Sequence, residues 1–323
     1  MSTSKRHIRI LLLSAAALTL LLAGCERVDG PTPQPETQEE IRLNAAVWQM
    51  MQGAPSYRIS PYTNANLSSD EYGFTCYAYT AGTTEAYING SNVRYISSEW
   101  QFQDGKHYWP ASGALDFFTY MPATPPAYIS DITYAVSGEP TTPHPYFVCA
   151  NLPMTDDGQP SSLKEFIYAV TPNQSKVSPG ASGVTMSFKH PFALIKFAVG
   201  GSDADITIKE MSFSEMKTGG TCTFDGSAST WSDLTGSATL SITEDLQYGS
   251  AKTQTAPFLV IPNNYGDKTL TVKVSWTDWG EQIDHYLTTT VDLDWDAGKS
   301  YTYTLNVTKT DLIVNTTKYT EQW

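Results

Sequence analysis

The sequence predicts an all-β protein built as two tandem β-sandwich domains. Three observations predict it. Short apolar runs alternate with polar residues at a period of two, the pattern of half-buried strands. Gly, Pro, Asn and Ser punctuate these runs at short intervals, as in sandwiches. The 323 residues exceed one ordinary core and suggest two domains. Composition agrees. Charged residues make up 16%, below the ~25% of an average domain, and Thr, Ser, Tyr and Gly fill the gap, favouring strands and turns.

The chain begins with Lys5, Arg6 and Arg9, followed by an uncharged apolar stretch from Ile10 to Ala23. That is the layout of a secretory signal, and it is too short to span a bilayer. It ends in Leu22-Ala23-Gly24-Cys25, which resembles the bacterial lipoprotein signal. The resemblance implies cleavage before Cys25 and a lipid on Cys25, hence a membrane partner through that anchor. Residues 1–24 are read as the signal peptide. Residues 25–40, with Pro31, Pro33 and Pro35 among polar residues, are read as an extended, lipidated tether.

The N-terminal sandwich is assigned to 41–178. Ile41, Leu43, Ala45 and Val47 alternate with Arg42, Asn44, Ala46 and Trp48 and predict the first strand. Gln52 to Tyr72 reads as a long loop. Phe74 to Tyr79, Leu115 to Tyr120 and Tyr146 to Ala150 are aromatic or β-branched runs that read as strands. Ser161 to Ala169 alone reads as helical. Pro172 to Gly183 holds Pro179, Gly180 and Gly183 and marks the domain boundary. The C-terminal sandwich is assigned to 179–323, with a terminal strand. Leu270, Val272, Val274 and Trp276 share one face there, as do Tyr301, Tyr303, Leu305 and Val307.

Charge and motifs narrow the function. Lys plus Arg number 20 against 33 Asp plus Glu, a formal charge of -13. Nucleic acid is excluded as a partner, because phosphate binding needs a basic face. No catalytic constellation is recognisable. His107, His144, His190 and His285 are scattered without metal-ligand spacing, and there is no GxSxG elbow or phosphate loop. Asp292-Leu293-Asp294-Trp295-Asp296 opens like a calcium loop, but Ala297 stands at the turn-glycine position and Tyr303 at that of the closing Glu. No enzyme activity, cofactor or metal is expected. Of the four Cys, Cys76, Cys149 and Cys222 remain after Cys25. They read as small buried residues, although Cys76 and Cys149 could pair.

Four cassettes in order resemble one family. They are Trp100, Tyr108-Trp109-Pro110 and Leu115-Asp116-Phe117-Phe118-Thr119-Tyr120-Met121-Pro122; Phe188-Lys189-His190-Pro191 before Ala193-Leu194-Ile195-Lys196-Phe197; Phe258-Leu259-Val260-Ile261-Pro262; and Trp295-Asp296-Ala297-Gly298-Lys299-Ser300-Tyr301. With the lipobox, they resemble the fimbrillin-like surface lipoproteins of Bacteroidales. The resemblance covers Cys25 to Trp323. It implies sandwiches of transthyretin-like topology and a stalk, tip or anchor role in fimbriae at the outer membrane surface. Its partners would be other fimbrial subunits and surface ligands of a host or another bacterium. It further implies proteolysis after an Arg beyond the first strand, loss of that strand, and filling of the groove by a neighbour's strand.

Carried onto this sequence, the scissile residue would be Arg58, which also reads as an ordinary loop Arg. Leu312 and Val314, or Ile313 on the opposite face, would enter a neighbour's groove. Otherwise the terminal strand completes its own domain. The alternative function is a surface glycan-binding lipoprotein of the same architecture. Trp276 and Trp279 flank a turn expected at Thr277-Asp278. Trp276 shares the core face, which leaves Trp279 as the aromatic available to stack on a sugar.

Overall fold

The computed structural model describes residues 38–47, 59–60, 67–68, 73–135, 144–159, 163–176, 183–203, 205–224 and 227–319. Every regular element among them is a β-strand, twenty-one in all. The all-β expectation therefore holds, and the several sheets fit a β-sandwich fold. From Gln38 onward the chain forms one compact unit.

The largest sheet has seven strands in the order β10-β6-β3-β4-β5-β1-β11. These are β1 (Leu43–Val47), β3 (Phe74–Thr80), β4 (Ala86–Ile96), β5 (Glu99–Phe102), β6 (Leu115–Met121), β10 (Ile167–Gln174) and β11 (Val184–Phe188). It rolls until its outer strands meet. Tyr168 N donates to Lys189 O at 3.2 Å, and Lys189 N donates back to Tyr168 O at 2.7 Å. Alternate residues fill the roll: Phe74, Cys76, Ala78, Leu115, Phe117, Ile167, Val184, Met186 and Phe188 form one buried cluster.

All seven residues of β6 are buried, because a second sheet covers the other face of the roll. This sheet runs β15-β14-β8-β7, from β7 (Ile129–Ala135), β8 (His144–Cys149), β14 (Gly219–Phe224) and β15 (Ser229–Thr235). Its Phe224 lies 5.5 Å from Phe118 and stacks on Tyr168 at 3.9 Å, while Phe147 meets Phe166 at 4.8 Å.

Two further four-stranded sheets form the C-terminal part of the fold. One is β17-β12-β20-β21 and the other β16-β13-β18-β19. Their strands are β12 (Ala193–Ser202), β13 (Thr207–Met216), β16 (Ala238–Leu246), β17 (Phe258–Val260), β18 (Asn263–Asp278), β19 (Glu281–Trp295), β20 (Ser300–Val307) and β21 (Leu312–Tyr319). They face one another through Phe197, Phe213 and Tyr303, with ring centroids 5.5 to 6.0 Å apart. The alternation read in the sequence is the packing observed: Leu270, Val272, Val274 and Trp276 are buried, as are Tyr301, Tyr303, Leu305 and Val307.

Two groups of strands cross the boundary drawn at 178/179. β11 joins the first sheet beside β1, and the β14–β15 hairpin joins β8. One buried cluster runs from Phe118 to Leu312. The helix read at Ser161 to Ala169 is absent where described: Leu163–Lys164 is β9, paired with β2 (Ile59–Ser60), and Ile167 opens β10.

Cys76, Cys149 and Cys222 are buried and unbridged. Burial pushes all three thiols up, Cys149 to about 12. Thiolate is the reactive form. A chain lacking Cys25 should therefore resist iodoacetamide at neutral pH when folded and take up three labels in denaturant. Rapid labelling of the native protein would contradict this packing.

Candidate functional site

β1 is the element on which any strand-exchange chemistry would turn, and it is held unequally on its two sides. Leu43 is buried and Ala45 packs on the rolled sheet's core. On one side β1 runs parallel to β11 over five registered pairs, Leu43↔Val184 to Val47↔Phe188. Val184 N donates to Arg42 O at 2.8 Å. Gly183 makes this approach possible. Its φ is +84°, and a Cβ there would lie 2.5 Å from Arg42 O, a contact only glycine avoids. On the other side β1 pairs with β5 at a single position, Leu43↔Trp100.

Open volume flanks that single contact. A cavity of about 380 Å³ is bounded by Leu43, Ala45, Leu67, Tyr95 and Trp100. Another of about 310 Å³ is bounded by Ile41, Arg42, Trp100, Phe102 and Lys106. The seam between β1 and β5 is thus partly open.

The segment preceding β1 is held by the loop after β5. Ile41 N donates to His107 O at 2.8 Å, and Trp109 N donates to Glu39 O at 2.9 Å. Lys106 pairs with Glu40 at 2.7 Å, and this contact raises the pKa of Lys106. Such an exposed pair adds little stability. The loop is itself fastened to β4. Ser91 Oγ donates to Asp104 Oδ2 at 2.5 Å, and His107 Nε2 lies 3.1 Å from both Ser91 Oγ and Asp104 Oδ1. Burial raises the pKa of Asp104, but the hydrogen bonds from Ser91 and His107 outweigh it and hold the carboxyl below its ordinary value. A Ser-His-Asp relay needs the two imidazole nitrogens to serve different partners. Here one nitrogen meets both, so the geometry is that of a loop clamp. Sequence inspection passed over this trio because its members are spread across a strand and a loop.

The terminal strand lies at the edge of its own sheet. β21 pairs antiparallel with β20 over eight positions, from Val307↔Leu312 to Ser300↔Tyr319. Leu312 is buried and Val314 packs on the core, whereas Ile313 is 61% exposed. The two faces left open by the sequence are thereby assigned: Leu312 and Val314 face inward. Lys318 Nζ bonds Asp296 Oδ2 at 2.6 Å. Cys25 and Arg58 lie outside the described residues.

Trp276 and Trp279 separate as expected, but the turn sits later than Thr277-Asp278. Asp278 pairs with Glu281, so the apex is Trp279-Gly280. Trp276 is buried and stacks on His285 at 3.6 Å, with an interplanar angle of 2°. Trp279 is 97% exposed, at φ 51° beside Gly280 at φ 87°. Two left-handed residues make a type I′ hairpin turn, whose first position favours Asn, Asp or Gly. A bulky side chain there costs about 1–2 kcal/mol.

The sequence from the loop before β3 to its end matches a known family. The fimbrillin-like family matches residues 62–323, and the chain belongs to it. No curated protein matches the chain. Among solved structures, a candidate cell adhesion protein from Bacteroides uniformis is similar at 15% identity and a TM-score of 0.47, over 87% of this chain and 98% of that one. The tip fimbrial protein Mfa3 from Porphyromonas gingivalis, with a C-terminal truncation, is similar at 7% identity and a TM-score of 0.43, over 83% and 97%. The family assignment rests on the match over 62–323 alone. Membership supports a fimbrial-type subunit, a surface or fimbrial location and association with other fimbrial subunits.

Proposed function

We propose that this protein is a fimbrial subunit, exported as a lipoprotein through Cys25, that joins its neighbours by strand addition. β1 marks the acceptor position and Leu312–Tyr319 is the donor. The observation that carries this reading is the unequal hold on β1, five pairs to β11 against one to β5. Cleavage after Arg58 would leave β1 held without a covalent link. Its departure would expose the edges of β5 and β11 and the apolar positions that Leu43 covers, both costly in water. Among its described side chains, β21 commits Leu312 and Val314 to its own core, and its eight pairs to β20 would have to open before it could serve as donor. Such head-to-tail contacts do not close and so propagate. We also keep the division into N- and C-terminal sandwiches as a proposal, with β11 and the β14–β15 hairpin exchanged between the halves.

Limited trypsin treatment should cut at Arg58 and give denaturant-sensitive ladders on gels. Arg58→Ala, or deletion of residues 310–323, should leave monomers. Cut protein that stays monomeric and keeps residues 41–49 would instead be an anchor or tip subunit with a permanent first strand. In cells, Cys25→Ala should abolish lipid labelling; normal labelling would end the lipoprotein reading.

A further inference from the structure

The far end of the C-terminal sandwich carries an aromatic residue that folding does not explain. Register defines this end. Ser202 closes β12 opposite Val307, and Leu312 opens β21 opposite Val307. Thr207 opens β13 opposite Ser275, and Leu246 closes β16 opposite Ile208. Lys309 Nζ, in the turn before β21, bonds Asp205 Oδ2 at 2.8 Å and lies 5.9 Å from the Trp276 ring. The turns and the β18–β19 apex therefore meet at one pole. Ala193, at the other end of β12, lies about 30 Å away at strand rise.

Five of the eight large apolar side chains found exposed among the described residues belong to this end or its flanks: Tyr248, Trp279, Ile283, Tyr286 and Ile313. Trp279 is the extreme case, with both ring faces in solvent at 97% exposure. It occupies a left-handed position where Asn would be less strained, and its ring contributes nothing to the core. A residue that breaks the local rule without a packing gain points to a role outside folding.

The surroundings indicate the ligand. Trp279 stands between Asp278 and Glu281, and the next registered pair is Thr277 and Gln282. An apolar protein pocket would meet these hydrogen-bonding groups with nothing to pair them. An anionic membrane or glycan would meet the like charge of Asp278 and Glu281, since the nearby cation Lys309 is already paired with Asp205. A neutral sugar satisfies both features: its C–H face covers the indole, and its hydroxyls donate to the carboxylates, which form strong charge-assisted bonds. We propose that this pole is a carbohydrate-binding surface on which Trp279 stacks against a neutral oligosaccharide. Tyr248, 54% exposed in the turn after β16, lies across the sheet from the apex. Three strand spacings, about 14 Å, separate β16 from β19, so a chain of several sugars is needed to reach both rings. This site goes beyond the strand-exchange reading and does not depend on it.

The test uses the mature chain on an array of neutral, sialylated and sulfated oligosaccharides, with binders confirmed by affinity electrophoresis. Neutral oligosaccharides of several units should be retained and acidic ones should not. Trp279→Asn should weaken retention about tenfold, the loss expected for one stacked ring, while its melting temperature stays level or rises because Asn suits the turn. Trp279→Tyr should keep most of the binding. Trypsin-induced ladders should be unchanged in both variants, which separates this site from assembly. Retention of no neutral glycan, equal retention by Trp279→Asn, preference for acidic glycans, or a lower melting temperature for Trp279→Asn would each overturn the proposal.

Discussion

Trp295→Ala should be among the most destabilising single changes in this protein. Trp295 is 2% exposed at the end of β19. Its Nε1 donates to Tyr303 OH at 2.7 Å. Its ring meets Tyr265 edge-on at 5.2 Å and Phe213 at 6.5 Å within its own sheet, and the bond to Tyr303 of β20 joins that sheet to its partner. Burial, the largest influence on Tyr303, pushes its phenol well above the ordinary range, as expected where water is excluded. Truncating a buried Trp to Ala costs about 3–5 kcal/mol, and a buried hydroxyl stripped of its partner adds about 1–3 kcal/mol. Domains have only about 5–15 kcal/mol to lose. Urea unfolding should therefore place Trp295→Ala near the limit of folding. Trp295→Phe keeps most of the area but loses the donor, and should cost less. A change under about 1 kcal/mol for the alanine variant would mean that the two sheets are joined elsewhere.

Strands with one wet face were legible in the sequence, and strands with two dry faces were not. β18 and β20 show their alternation because one face of each is packed on the facing sheet and the other is less buried. β6 has no period to read: Phe117 fills the roll while Phe118 packs under Phe224. The stretch misread as helical fails for a related reason. Leu163, Phe166, Ile167 and Val170 fall at helix-like intervals, yet Phe166 and Ile167 are neighbours buried in two different clusters. Glu165-Phe166 is an irregular step between β9 and β10, and it mimics a 3.6-residue repeat.

The candidate site was half legible. β1 announces itself as a strand through Leu43 and Ala45, but period alone cannot name β11 as its neighbour, nor reveal the single contact with β5. Leu312 and Val314 were separable from Ile313 by alternation, yet only the sheet says which face is inward. The hairpin apex was placed early because Asp278 is a turn former. The register instead puts Gly280 where a type I′ turn needs it and leaves Trp279 to take the strained position.

Breaking the buried pair of His190 and Glu165 should cost nearly as much as losing Trp295. His190 Nδ1 lies 2.5 Å from Glu165 Oε1, and both residues are buried. They sit where the chain leaves the rolled sheet for the two C-terminal sheets. Lys189 pairs there with Tyr168, and Trp231 Nε1 donates to Pro191 O at 2.7 Å. Removing one member of a buried pair leaves the other's polar group without this partner and costs about 3–5 kcal/mol. Replacing both with apolar residues of similar volume is often near neutral, because the desolvation of two polar groups disappears with them. His190→Leu should therefore lose most, and Glu165→Gln less, since the amide can still meet the imidazole. The double change Glu165→Leu with His190→Leu should recover much of the loss. Urea midpoints for His190→Leu, Glu165→Leu and the double variant complete a double-mutant cycle, with a coupling energy of about 1–3 kcal/mol expected for residues in direct contact. Additive losses would mean that the two side chains act separately, and that the passage into the C-terminal sheets is held by other contacts such as the backbone pairing of Lys189 and the bond from Trp231.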